Sequence, residues 1–180
     1  MAAINNDGTA LEHASRQLKG DREIVLTAIR NHGDALFFAA PELRADRNIV
    51  LVAVNNYGYA LQWAFPELRE DRKIVLAAIN NYGYALEYAS PELRADREIV
   101  LTALINNSRV IQYASPELRE ELRGKTKEEL EILLRAEKDP KLKERRLRAK
   151  AAERRIAQEE QKRRRRERIN QVEEQIRQMR

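Results

Sequence analysis

A period of 25 residues is the feature of this sequence that most restricts its fold. Residues 91–101 read Pro-Glu-Leu-Arg-Ala-Asp-Arg-Glu-Ile-Val-Leu, and the same segment recurs with few changes at 41–51 and 66–76, and more loosely at 16–26. Aspartates and single glycines keep the same spacing, as Asp21, Asp46, Asp71 and Asp96 and as Gly8, Gly33, Gly58 and Gly83. Self-similarity at a fixed period is typical of proteins that stack short structural units.

One period reads as a helical hairpin. Asp71 is a good N-cap, because its carboxylate can accept hydrogen bonds from the first backbone N–H groups of a helix. Residues 72–80 are apolar on most sides, which predicts a helix buried between neighbours. Gly83 is predicted to end that helix in the left-handed conformation, and residues 84–89 to form a second, shorter helix. Pro91 then begins a further turn.

The pattern weakens at Ser108 and stops after Glu120. Thr126 with Glu129 three positions on forms a capping box, which predicts a helix that covers the end of the stack. Asp139-Pro140 ends that helix and caps the next. The array opens in mid-period, either as a piece of a longer array or with a first half-helix that acts as a cap.

The last part of the chain lacks glycine and proline and is rich in Ala, Arg, Lys, Glu and Gln, which favour a long helix. We therefore predict an all-α chain: a helical-hairpin repeat solenoid over 1–124, a capping helix over 125–139 and a long basic helix over 140–180. Near its end, apolar residues with the spacing of a short coiled-coil seam leave self-association open. They are Ile169, Val172, Ile176 and Met179.

Charge separates the array from the tail. Residues 1–120 carry a net charge of −3, whereas residues 141–180 carry +9. The chain contains no cysteine, which excludes disulfides and cysteine-ligated zinc and suits an intracellular location, cytoplasmic or nuclear. No apolar run approaches the roughly 18–20 residues that span a bilayer, and no secretory signal is visible at the N-terminus, so we expect no membrane contact.

The repeated motif resembles an uncharacterised family of microbial helical repeats, a domain of unknown function that occurs in tandem. The motif is Pro-Glu-Leu-Arg-x-Asp-Arg-x-Ile-Val-Leu-x-Ala followed by Asn-x-Gly-x-Ala-Leu-x-x-Ala, and it covers about residues 1–120. The resemblance implies an all-helical array. It implies no activity, and it does not extend to the tail.

Aromatic residues recur at fixed places in the period and form the first candidate site. In a stack, each such column becomes a ladder that can bind a peptide or stack bases. The other interpretation is packing between repeats, which we favour for the column from His13 to Tyr113; for the tyrosines beside the glycines, packing and exposure remain equally open. The candidate partner-binding residues are Tyr57, Tyr59, Trp63, Tyr82, Tyr84 and Tyr88.

Charged residues supply two further candidates. The recurrent Glu-Leu-Arg, for example Glu92 and Arg94, is expected to form solvated ion pairs between repeats. In the tail, a dense run of cations suits phosphate backbones or an acidic protein groove, although a free-standing charged spacer is the simpler interpretation. The candidate polyanion-binding residues are Lys162, Arg163, Arg164, Arg165, Arg166 and Arg168.

Catalysis finds little support in the sequence. His13 and His32 are the only histidines, there is no thiol, and no glycine-rich phosphate loop is found. We predict a non-catalytic helical-repeat scaffold without cofactor or metal, which binds protein partners and is anchored in a larger assembly by the basic helix. The alternative is a nucleic-acid or ribonucleoprotein binder that uses residues 141–180 for sequence-indifferent phosphate contacts.

Overall fold

The computed structural model describes the backbone of residues 8–178 and the side chains of residues 10–169 and of Gln171. Over residues 8–178 the chain is helical and contains no strand, so the predicted all-α class is confirmed. It divides into two compact units, residues 1–135 and residues 136–180. The half-period expected before residue 8 lies outside the described residues, as do Met179 and Arg180 and the side chains of Val172 and Ile176.

Each of the four repeats that begin at Gly8, Gly33, Gly58 and Gly83 contains a 3₁₀ helix, a single α-helical turn and a ten-residue α-helix. The 3₁₀ helices are Gly8–His13, Gly33–Phe38, Gly58–Trp63, Gly83–Tyr88 and Ser108–Tyr113. The α-helices are α1 Arg16–Lys19, α2 Arg22–Asn31, α3 Pro41–Arg44, α4 Arg47–Asn56, α5 Pro66–Arg69, α6 Arg72–Asn81, α7 Pro91–Arg94, α8 Arg97–Asn106, α9 Pro116–Leu122, α10 Lys127–Lys138 and α11 Pro140–Gln178. The shorter helix of the predicted hairpin is thus a six-residue 3₁₀ helix, a form that suits short connecting pieces.

The recurrent aspartates cap the ten-residue helices, as predicted. Asp71 Oδ1 accepts hydrogen bonds from the backbone N–H groups of Lys73 and Ile74, at 2.8 and 3.2 Å. The other carboxylate oxygen of Asp71 pairs with Arg47 Nε of the preceding repeat at 2.8 Å. One aspartate therefore both begins a helix and ties two repeats together. Equivalent pairs join Arg22 to Asp46, Arg72 to Asp96 and Glu98, and Arg97 to Glu121.

The ion pairs described above lie on the Asp-Arg column, in addition to those that the sequence led us to expect on the Glu-Leu-Arg column, which remain a prediction. Arg44 of the latter donates its Nε to the backbone carbonyl of Trp63 at 2.8 Å. The Asp-Arg pair stands at the beginning of a ten-residue helix that packs against the equivalent helix of the next repeat, so charges from the two repeats come close together. The Arg22 guanidinium also lowers the pKa of Asp46 below its usual value.

Glycine recurs at this position of the period for a different reason from the one predicted. No glycine of the column from Gly33 to Gly83 has a positive φ; among the described residues only Gly124 does. These glycines are needed because the next repeat comes too close for a side chain. A Cβ on Gly33 would lie 2.6 Å from Tyr57 Cβ, and a Cβ on Gly58 would lie 2.3 Å from the Ala78 carbonyl oxygen. Ser108 stands where the array ends and no further period follows.

The core consists of columns that repeat with the period. Leu36, Leu61 and Leu86 of successive 3₁₀ helices are fully buried, together with the Ile-Val pairs of the ten-residue helices. Helix α10 ends this core: Thr126 Oγ1 accepts from the Glu129 N–H and Glu129 Oε2 accepts from the Thr126 N–H, so the predicted capping box is confirmed. Leu130 of α10 is buried in the same core.

The second unit contains the long helix. Asp139 Oδ1 caps α11 by accepting hydrogen bonds from the N–H groups of Lys141 and Leu142, at 2.9 and 3.3 Å, as predicted. Glu137 forms ion pairs with Lys143 and Arg146, at 3.1 and 3.0 Å. Within this unit, ion pairs therefore link the C-terminal end of α10 to the N-terminal end of α11.

Candidate functional site

Tyr57 and Tyr82 are the most exposed of the candidate tyrosines. Each follows a ten-residue helix in extended backbone conformation, with φ of −146° and −148°. Each is also seated on a glycine of the preceding repeat: an added Cβ on Gly33 or Gly58 would lie 2.6 or 2.8 Å from the Cβ of Tyr57 or Tyr82. Tyr57 and Tyr82 remain 41% and 39% exposed. The close approach of each glycine therefore fixes the position of the tyrosine Cβ in the next repeat.

The two exposed residues belong to one aromatic cluster, which consists of Tyr57, Tyr59, Tyr82 and Tyr84. We call this cluster the tyrosine corner, a name that here has no connection with the β-sandwich motif. The centroid of the Tyr59 ring lies 5.8 Å from that of Tyr57 and 6.0 Å from that of Tyr82. Tyr82 and Tyr84 are 5.5 Å apart. Contacts of this kind contribute about 0.5–1.5 kcal/mol each beyond the area buried. The corner is therefore a connected aromatic surface across two repeats.

Tyr88, the last predicted tyrosine, lies deeper. Its ring is half-buried, 5.2 Å from Tyr59 and edge-on to it. Burial raises the pKa of Tyr88, and a hydrogen bond with Tyr59 raises it further. Tyr113 of the next repeat is likewise half-buried, and its pKa is raised by burial and by a hydrogen bond to Glu87. For both side chains the geometry agrees with the packing interpretation of this column.

Trp63 does not join the tyrosine corner. Its ring contacts Phe37 at 4.3 Å, and its indole Nε1 donates a hydrogen bond to Asp34 at 2.8 Å. Phe37, which also contacts Phe38 at 5.0 Å, is 45% exposed and was missed by the sequence reasoning. A signal was present: the equivalent positions in the other periods hold Glu or Gln, so an aromatic residue there stands out.

The predicted polyanion-binding residues are exposed on α11. From Lys162 to Arg168 the described side chains all face solvent, and Arg163 pairs with Glu167 at 3.1 Å. Ile169 of the predicted seam and Ile156 are also exposed, at 48% and 58%. The segment offers several cations on one continuous helix and only one carboxylate within the run.

Neither a candidate metal site nor a membrane-spanning helix is found among the described residues. No group of three or more His, Asp or Glu side chains in this part of the chain could hold a metal ion. No helix within it is both long and apolar enough to cross a membrane.

Stacked helical hairpins with one continuous core define the class of this molecule: it is a tandem helical-repeat protein, an architecture that fits a scaffold-like module. More particularly, the chain belongs to the family described as a domain of unknown function, DUF4116, whose model matches residues 1–44, 21–69 and 71–119. No curated protein and no solved structure matches the chain. The family match ends before α10, so residues 120–180 take no interpretation from it.

Proposed function

We propose that the array is a non-catalytic module that binds protein partners through the tyrosine corner. The observation that carries this proposal is the exposure of Tyr57 and Tyr82 on backbone fixed by the neighbouring repeat. Tyrosine offers a large contact area, a polar tip and only two side-chain torsions to order, which is why it is enriched at protein interfaces. A stack of repeats presents such rings at regular intervals.

The basic helix is the second part of the proposal. Residues 141–180 carry +9, whereas the array carries −3, so the two parts attract different surfaces. We propose that the helix anchors the module in a larger assembly by contact with an acidic partner. Its exposed apolar residues, Ile156 and Ile169 among them, are too widely spaced for a continuous coiled-coil seam and favour contact with a partner of mixed character.

A display selection tests the tyrosine corner. Random peptides are selected in parallel on the wild-type protein and on a Tyr57→Ser/Tyr82→Ser variant. We expect peptides enriched on the wild type to bind the variant at least about tenfold more weakly, a factor that corresponds to ~1.4 kcal/mol. The matched control is Ile132→Ser, which removes a side chain that is 64% exposed on α10. Equal binding to the wild type and the tyrosine variant would contradict the proposal.

A second candidate function, nucleic-acid binding, is favoured by the exposed cations from Lys162 to Arg168. If these six cations contact phosphates, the logarithm of the affinity for duplex DNA should fall with the logarithm of salt concentration with a slope of about −5. Reversal of three charges, Arg164→Glu, Arg165→Glu and Arg168→Glu, should reduce that slope by about half. A filter-binding titration of both proteins measures this, and absence of salt-dependent binding at physiological ionic strength would exclude this function.

A further inference from the structure

Two equivalent clefts lie one period apart along the array. The first, of about 270 Å³, lies between the turns α7 and α9 and is lined by Pro91, Pro116, Arg94, Arg119, Gln112 and Tyr113 among others. The second, of about 320 Å³, has a related lining shifted by 25 residues. Because Arg94 lines both, the clefts form a row. We call them the Arg94–Arg119 cleft and the Arg69–Arg94 cleft.

Arg119 of the first cleft is held in place, and both of the cleft's arginines have a buried Nε donor without an acceptor. Arg119 Nη2 donates to the backbone carbonyls of Gln112 and Ala114, at 2.8 and 3.2 Å. The Nε groups of Arg94 and Arg119 are buried, and no described residue offers either of them an acceptor. Buried donors without acceptors are rare in folded proteins and call for an explanation. An arginine whose guanidinium is already oriented loses little entropy when it binds a carboxylate.

The charge of the two clefts differs. Glu70 and Glu87 line the Arg69–Arg94 cleft, where they offset its arginines. The equivalent positions one period later hold Ala95 and Gln112, and no carboxylate lines the Arg94–Arg119 cleft. The lining of one cleft therefore holds two guanidinium groups and no carboxylate, whereas that of its neighbour contains both signs.

The size of the cleft limits what it can hold. Pockets for small molecules usually have about 300–1,000 Å³, and the Arg94–Arg119 cleft lies just below that range and is open to solvent. It suits one side chain of a longer ligand. The proline and tyrosine walls resemble in chemistry the surfaces that bind extended, proline-rich peptides.

We infer that the Arg94–Arg119 cleft binds a carboxylate side chain of an extended partner peptide. This inference rests on the proposed function as a protein-interaction module but names a surface other than the tyrosine corner. A polyproline II peptide rises about 9 Å in three residues and presents every third side chain on one face. Packed helices lie about 8–10 Å apart, so a glutamate at every third residue follows the spacing of the repeats.

The probe is an end-capped peptide with three copies of Pro-Pro-Glu, compared with the same peptide in which glutamine replaces glutamate. Binding is followed by the ¹H–¹⁵N signals of arginine Nε–H groups, assigned with Arg94→Lys and Arg119→Lys. We expect the glutamate peptide to shift the signals of Arg94 and Arg119 saturably, and to bind about tenfold more tightly than the glutamine peptide. Equal binding of both peptides, or no shift with either, would overturn the inference.

Two variants change the number of carboxylates in the clefts by substitutions at exposed positions. Ala95→Glu/Gln112→Glu gives the first cleft the carboxylates of the second and should weaken binding of the glutamate peptide about tenfold or more. Glu70→Ala removes a carboxylate from the second cleft, leaves Glu87 and its hydrogen bond to Tyr113 of the first cleft in place, and should tighten binding severalfold. The gain should vanish for a peptide with glutamate at every second residue. Unchanged affinity in both variants would also refute the inference.

The result can be separated from the fate of the proposed function. Tyr57→Ser/Tyr82→Ser leaves both arginines in place and should not alter binding of the glutamate peptide. If the cleft fails its test while displayed peptides still require the tyrosine corner, only the cleft is wrong. If the cleft binds and the corner does not, the module binds partners through its arginine row alone.

Discussion

Replacement of Gly58 by alanine is expected to lower the free energy of unfolding by about 3 kcal/mol. The added Cβ would lie 2.3 Å from the Ala78 carbonyl oxygen and 2.8 Å from Tyr82 Cβ. Both atoms are fixed by the backbone, so the clash can be relieved only by separation of two repeats. Urea denaturation followed by circular dichroism measures the change, with the fitted slope checked for constancy.

Gly20→Ala is the matched control. The nearest atom to a Cβ at Gly20, outside its own chain neighbours, is the Gln17 carbonyl oxygen at 3.6 Å, and its φ of −95° suits any residue. The same chemical change there should leave stability unchanged or raise it by about 0.4–1 kcal/mol, because alanine reduces the freedom of the unfolded chain. Similar costs at Gly20 and Gly58 would contradict the close-approach explanation of the glycine column.

Leu61→Ala is expected to cost about 2–5 kcal/mol, since it removes a fully buried side chain between two repeats. Ile111 occupies the equivalent position in the last 3₁₀ helix but is only half-buried. Ile111→Ala should therefore cost clearly less. The same urea experiment compares the two variants, and an equal loss at both sites would show that the end of the array is covered as fully as its middle.

Local chemistry made much of the fold predictable. The N-cap aspartates, the capping box at Thr126 and Glu129 and the cap at Asp139 act through groups within a few residues along the chain. Such short-range contacts can be inferred from residue type and spacing alone. The period then implied that the units stack.

Contacts between repeats were harder to predict. Gly58 is glycine because of atoms 20 and 24 residues further along the chain, and Arg47 pairs with a residue of the next repeat. The period indicates that equivalent residues of successive repeats form columns, but it does not indicate which columns contact each other. Asn81 accepts a hydrogen bond from the Gly58 N–H at 2.7 Å, again across repeats.

The candidate site shows the same division. Tyr57, Tyr59, Tyr82 and Tyr84 could be grouped from the sequence because they flank glycines of one column, and their rings do meet. Trp63 was grouped with them by period, but its ring turns to Phe37 and Asp34. The Arg94–Arg119 cleft forms between turns from two different repeats, and no carboxylate lines it. Neither property can be seen in the sequence of a single period.

The most direct test of the tyrosine corner uses the six tyrosines of the chain as probes. Protein labelled with ¹³C in the tyrosine rings is titrated with a peptide obtained by the display selection, and the ring signals are assigned by substitution. We expect the signals of Tyr57 and Tyr82 to move most, with smaller changes at the half-buried Tyr88 and Tyr113. Saturable binding that leaves the signals of Tyr57 and Tyr82 unchanged would contradict the account.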